Sequence, residues 1–211
     1  YPDGWQAASA LRPKSTSGST IVYEKTDYDT LVDSPVFAGQ NFQTIALTSR
    51  VHLNIVADDA KFLKPSSKQI APHVALVREA EALFGSHPYD RYDFLLALTE
   101  DMGGIGLEHH RSSENGVDRE YFTDWDSGPG RRNLLPHELT HAWNGKYRRP
   151  AGMWTPDFRQ PMRDNLLWVY EGQTQFWGYV LGARSGLYSK QDTLDAFAAI
   201  AADMDLRVGR T

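Results

Sequence analysis

The run YDFLLALT, 92–99, is apolar almost without a break and too short for a buried helix, so it reads as a buried strand. Such a strand needs neighbours. FQTIAL at 42–47 and RVHLNIVA at 50–57 cluster or alternate their apolar residues in strand fashion, and STSGST at 15–20 reads as a loop among turn formers. KFLKPSSKQ, 61–69, is a break with Ser67 as the expected N-cap. IAPHVALVREAEALFG then repeats apolar residues at helical spacing as far as Gly85. Past the strand comes a glycine-rich turn, DMGGIGLEHHRSS, and a polar stretch with SGPG at 127–130. From there the pattern is helical. A helix starts near Leu134 with Pro136 in its first turn, where the missing N–H costs nothing, and Asn144-Gly145 suits its end. A loop with proline and arginine runs to about 163. DNLLWVYEGQTQFWGYVLGARSGL predicts one long helix stopped at Gly186, and a last helix runs from Ser189 to about Leu206. Strands early and helices late give an α+β class, a small mixed sheet followed by helices.

Composition narrows the function. A chain of 211 residues, 41% hydrophobic, holds a core of one domain or one domain and part of another. A formal net charge of -5 argues against nucleic acid as a partner, because phosphates select a basic face. No apolar run is long enough to span a membrane. With no cysteine, thiolate metal sites, thiol catalysis and disulfides are excluded. The opening YPDGWQAASAL reads like the middle of a chain, so a piece of a longer protein is expected.

LLPHELTHAWNGK, 134–146, carries the chemistry. Residues four apart on a helix face the same side, so His137 and His141 present two imidazole nitrogens to one ion. Glu138 lies beside the first histidine, placed to take a proton from an attacking water. A third ligand must come from elsewhere, and Glu171, in the next long helical pattern, is the candidate. Three ligands leave a fourth position open, the mark of a catalytic zinc site. Gln175, one turn after Glu171, is placed to hydrogen-bond a ligand from behind. The competing reading is an ordinary helix face with two half-buried histidines and a solvated glutamate. For Glu171 the competing reading is a surface glutamate on a helix whose Trp168, Val169, Phe176 and Trp177 serve the core.

GGIGLEHHRSS, 103–113, follows a strand and is expected to form an edge that lies beside an extended peptide. Glu108 there can pair with a substrate ammonium group. On spacing alone the better reading is a glycine turn with a surface Glu108, and with His109 and His110 as ordinary loop residues. KYRRP, 146–150, reads as a solvated loop.

HELTHAWNGKYRRP followed by LLWVYEGQTQFWGYVLGARSGL resembles the glycyl aminopeptidase family of zinc metallopeptidases, which are gluzincins with thermolysin-like catalytic domains. GLEHHRSS is similar to that family's exopeptidase signature, and VDSPVFAG, 32–39, to its segment entering the catalytic domain. The resemblance implies one Zn2+ per chain held by His137, His141 and Glu171, with Glu138 as catalytic base. It implies Glu108 as anchor for the free α-amine of a peptide, with Gly106 and Leu107 beside the substrate, and so reverses the spacing-based reading of Glu108. It implies an aminopeptidase favouring N-terminal glycine or alanine, exported in bacteria. Residues 1–49 would end a preceding β-rich domain, and 50–211 would be an incomplete catalytic domain. Two other readings stay open: an endopeptidase on the same zinc site, and a peptide-binding relative without turnover. The chain departs from the pattern twice. Ile105 stands among the glycines before Leu107-Glu108-His109, and no Tyr-Tyr-x-x-Gly-like motif supplies the family's transition-state tyrosine.

Overall fold

In the computed structural model of the chain, the apolar run forms strand Tyr92–Leu98 at the centre of a five-stranded sheet, with every residue buried. The structure describes residues 1–127, 129–157 and 159–207; Gly128 of the SGPG segment and 208–211 of the closing DLRVGRT lie outside them.

The N-terminal segment supplies β1 (Gln6–Ser9), β2 (Pro13–Ser17), β3 (Thr20–Tyr23), the short helix α1 (Tyr28–Val32) and β4 (Val36–Gly39). β1 pairs with β4 and β2 with β3, as two small antiparallel ladders. The main sheet contains β5 (Phe42–Ala46), β6 (Val51–Ala57), β7 (Tyr92–Leu98), β8 (Gly106–Glu108) and β9 (Ser112–Val117), in the order β5-β6-β7-β9-β8. β6, β7 and β9 run parallel, and the two outer strands are antiparallel to their neighbours. The α+β class and the mixed sheet are as the sequence predicts.

The parallel β6–β7 pair requires a crossover, which helix α2 (Ser67–Phe84) provides. Its N-cap is Ser66 rather than Ser67. Gln69 decides this, because its side chain returns to the Ser66 backbone N–H at 2.8 Å and completes a capping box. Gly85 ends the helix in the left-handed region at φ 65. His73, Leu76, Val77 and Ala80 form the buried stripe.

β9, SSENGV, has no apolar signal, yet Ser112, Ser113, Asn115 and Val117 are buried. Asn115 is held there by hydrogen bonds, its Nδ2 donating to the carbonyls of Leu95 (3.1 Å) and Ser113 (2.9 Å). Helix α3 (Leu134–His141) begins where expected but closes at His141, short of Asn144-Gly145. The long helix expected over 164–186 is three pieces: a 3-10 turn at Asp164–Leu166, a π-helical turn at Trp168–Gln173, and α4 (Thr174–Ser185) ending on Gly186 at φ 80. Helix α5 (Lys190–Leu206) starts from a Ser189–Asp192 capping box. No helix among the described residues is long and apolar enough to cross a membrane.

One buried titratable group ties α2 to the segment leading into α3. His73 Nδ1 donates to the Gln69 carbonyl at 2.7 Å, and its Nε2 accepts from the Tyr121 hydroxyl at 3.0 Å, among the rings of Phe122 and Trp125. Burial pushes its pKa down to about 4 from the ordinary 6.5. Between those values the unfolded chain binds the proton and the folded chain does not, so stability falls as pH falls. The effect is fully in favour of folding above about pH 6.5 and is lost through pH 4, a change of about 3 kcal/mol. Urea midpoints measured from pH 7 to pH 4.5 should show the decline, and His73→Gln should flatten it.

Candidate metal centre

Helix α3 places His137 and His141 one turn apart on one face, with His141 buried and His137 half-buried. The partners behind the rings settle the protons. His141 Nδ1 lies 3.1 Å from the Asn144 carbonyl, which can only accept, so the ring carries its hydrogen there. His137 Nδ1 is 2.7 Å from Gln175 Oε1, an acceptor again, in the place the sequence predicts for Gln175. Both Nε2 lone pairs are therefore turned inward, 3.1 Å apart. Glu171 Oε2 completes the triangle at 3.3 Å from His137 Nε2 and 3.5 Å from His141 Nε2. Three electron-rich atoms in this arrangement repel one another unless a cation lies among them. Ligand bonds of about 2.0–2.1 Å at tetrahedral angles span edges of about 3.3 Å, close to all three separations. His137, His141 and Glu171 thus form a group that fits a metal ion.

Glu138 is 4% exposed, and its Oε2 is buried with no hydrogen-bond partner among the described residues. Burial pushes its carboxyl up to about 7 against the pull of the two imidazoles, with Glu108 and Glu171 adding to the rise. An orphaned carboxylate oxygen with so high a pKa can take up and release a proton near neutral pH.

Glu108, His141 and Glu138 offer ligand atoms within 4.8 Å of one another, so Glu108 faces the same space. Glu108 ends β8, the edge strand of the sheet, as the sequence predicts for an edge. Its Oε1 accepts from the Tyr170 hydroxyl and lies 3.8 Å from Lys146 Nζ. Burial alone would raise its pKa, but Tyr170, His141 and Lys146 outweigh burial and hold it below the ordinary range. Of the other two β8 residues, Leu107 is 43% exposed beside this space. Gly106 passes so close to α3 that a Cβ on it would lie 2.9 Å from Glu138 Cδ and 2.7 Å from Leu134 Cδ1.

Several readings change. Glu171 is exposed, as a surface glutamate would be, but its carboxylate meets the imidazoles from the π turn, and of the residues expected to serve the core Trp168 is 72% and Phe176 46% exposed. Lys146 is not solvated loop; burial holds its pKa below the ordinary lysine value beside Glu108. His109 is not an ordinary loop residue. Its ring is held between Asp33 (3.1 Å) and Glu114 (3.1 Å), and the two carboxylates overcome burial to raise its pKa. Asp33 also accepts from the His110 backbone N–H at 2.9 Å, so VDSPVFAG is fastened to the segment behind Glu108. Tyr170 is a site residue that spacing does not reveal. Its ring lies 4.8 Å from that of His141, and its only sequence signal is adjacency to Glu171.

Two family models match. Residues 131–211 match the M61 glycyl aminopeptidase and residues 1–40 the peptidase M61 N-terminal domain. Among solved structures, an aminopeptidase N family protein from Idiomarina loihiensis superposes with a TM-score of 0.73 over 90% of this chain at 22% identity, a likeness of fold. The chain spans 33% of that protein's length. No curated protein sequence matches the chain.

The close passage of β8 over α3 has a measurable consequence. Gly106→Ala should cost about 1–3 kcal/mol in denaturant unfolding, because a methyl forces the Glu138 carboxylate aside. The cost should shrink in a Glu138→Ala background, and an equal cost in both would mean that the strand and the carboxylate do not press on each other.

Proposed function

We propose that this chain, which belongs to the M61 glycyl aminopeptidase family, is the thermolysin-like catalytic part of a zinc-dependent aminopeptidase that removes N-terminal residues of the glycine or alanine type from peptides. The observation that carries the proposal is the triangle of His137 Nε2, His141 Nε2 and Glu171 Oε2 with the orphaned Glu138 carboxylate beside it. Two neutral imidazoles and one carboxylate suit zinc, and in this reading they bind one Zn2+ per chain. In the same reading residues 50–211 form the catalytic unit and 1–49 close a preceding β-rich domain, in a protein that is exported.

Zinc held there would supply Lewis acidity, polarising the scissile carbonyl and acidifying the attacking water. The remaining work falls to the chain's own residues. Glu138, with its buried and orphaned Oε2 aimed into this space, accepts the water proton and delivers it to the leaving amine. Glu108 holds the substrate ammonium group, so that only the first peptide bond reaches the reacting atoms. The open side of β8 at Gly106 and Leu107 aligns the extended peptide by main-chain hydrogen bonds. Gln175 and the Asn144 carbonyl keep both Nε2 atoms free to bind. An endopeptidase on the same site differs in one respect, since it accepts peptides with a blocked N-terminus. A peptide-binding relative without turnover has no chemical need for a buried, unpartnered Glu138.

Metal content comes first. The purified chain should carry about one zinc, and His137→Ala should lose it; a wild-type chain without zinc overturns the reading. On peptides with N-terminal glycine or alanine, Glu138→Gln should keep the zinc and lower kcat by about 10²–10⁴-fold. Glu108→Ala should raise KM for free N-termini and erase the preference over N-acetylated peptides. Equal loss on both substrates would assign Glu108 a structural role and favour the endopeptidase.

A further inference from the structure

Between His141 and Glu171 the described chain is loop and short 3-10 turns at Ala151–Met153 and Asp164–Leu166, so connectivity alone does not set the two ligands in register. One side chain spans the gap. Asn144 Nδ2 donates to the Val169 carbonyl at 3.0 Å and to Thr174 Oγ1 at 2.9 Å, and reaches the Tyr170 carbonyl at 3.3 Å. Thr174 Oγ1 in turn donates to the Tyr170 carbonyl at 2.6 Å. Val169 and Tyr170 immediately precede Glu171 inside the π turn. Widening a helix to i→i−5 pairing disturbs the usual match of donors to carbonyls, and buried carbonyls must find donors elsewhere. Asn144 and Thr174 supply them.

The same residue acts on the other ligand through its backbone, since the Asn144 carbonyl is the acceptor for His141 Nδ1. Asn144 stands three residues after His141, and Thr174 three residues after Glu171. The two form a cross-tie between the ligand-bearing segments. A side chain serving only to finish α3 would bond to the carbonyls of α3. Each hydrogen bond of the Asn144 amide nitrogen goes instead to 169–174.

Resting on the metal centre proposed above, we infer that Asn144 is a positioning residue: it pins the π turn so that the Glu171 carboxylate meets the metal held by His137 and His141. Thr174 is the second half of the pin. In this role Asn144 touches neither metal nor substrate, and its removal acts through Glu171.

The test is Zn2+ affinity of the 211-residue chain, measured by competition with a chelator, with far-UV circular dichroism and the denaturant midpoint as checks on folding. Asn144→Ala should weaken zinc binding by about 10–100-fold. Asn144→Asp, equal in size but able only to accept, should weaken it at least as much. In a Glu171→Ala background the further loss from Asn144→Ala should be within about twofold, because the residue it positions is gone. Thr174→Val should give a smaller loss that also vanishes in that background, and it decides the matter if the Asn144 variants do not fold. Unchanged affinity in the variants, or a full loss that persists without Glu171, overturns the assignment. A wild-type chain that binds no zinc overturns the metal centre itself, an outcome distinct from a zinc-binding wild type that is indifferent to Asn144.

Discussion

The site depends on how closely α4 lies against α3. At Gly178 a Cβ would stand 3.2 Å from both Cα and N of His137, so the two helices meet backbone to side-chain-free backbone. That approach lets a side chain as short as glutamate reach from the turn before α4 to the face of α3. It also brings Gln175, on the first turn of α4, behind the His137 ring. With any larger residue at 178 the helices would stand apart by part of the width of a side chain. Three atoms now 3.1–3.5 Å from one another would then no longer fit around one ion.

The parts of this architecture that follow a hydrophobic period are legible in the sequence. β7, the stripe of α2 and the start of α3 carry patterns that only one kind of element satisfies, and the His137–Glu138–His141 spacing fixes a shared helical face. β9 is illegible because Ser112, Ser113 and Asn115 are buried without carrying a hydrophobic period, and the bond from Asn115 to the Leu95 carbonyl leaves no mark in the sequence. The π turn is illegible for a related reason: Trp168 to Gln173 continue the composition of α4, and the change from α to π pairing depends on donors outside the segment. Asn144-Gly145 misleads because asparagine and glycine are ordinary helix terminators. Here Asn144 is committed to Val169, Tyr170 and Thr174, while Gly145 packs so closely on the Tyr170 ring that a Cβ would come within 2.8 Å.

The acidic groups show how neighbours divide the roles of like residues. Glu171, with His137 and His141 beside it, is held at about 2 and stays ionised. Glu138, a few ångströms away but buried, its Oε2 without a partner among the described residues, rises to about 7. Glu108 is half-buried, yet Tyr170, His141 and Lys146 keep it on the ionised side. One carboxylate is thus suited to bind a cation, one to trade a proton, and one to hold a fixed negative charge. The difference lies in solvation and hydrogen bonding rather than in residue type.

β8 is an exposed sheet edge only three residues long, and among the described residues its outer side is unpaired. A long free edge invites strands from other molecules and is a route to aggregation. Three residues give about 10 Å of backbone, enough for a short stretch of guest chain and too little to template a fibril. Under the proposed function, the brevity of β8 reconciles two demands that usually conflict: an edge open to a peptide, and an edge too short to recruit further copies of the chain.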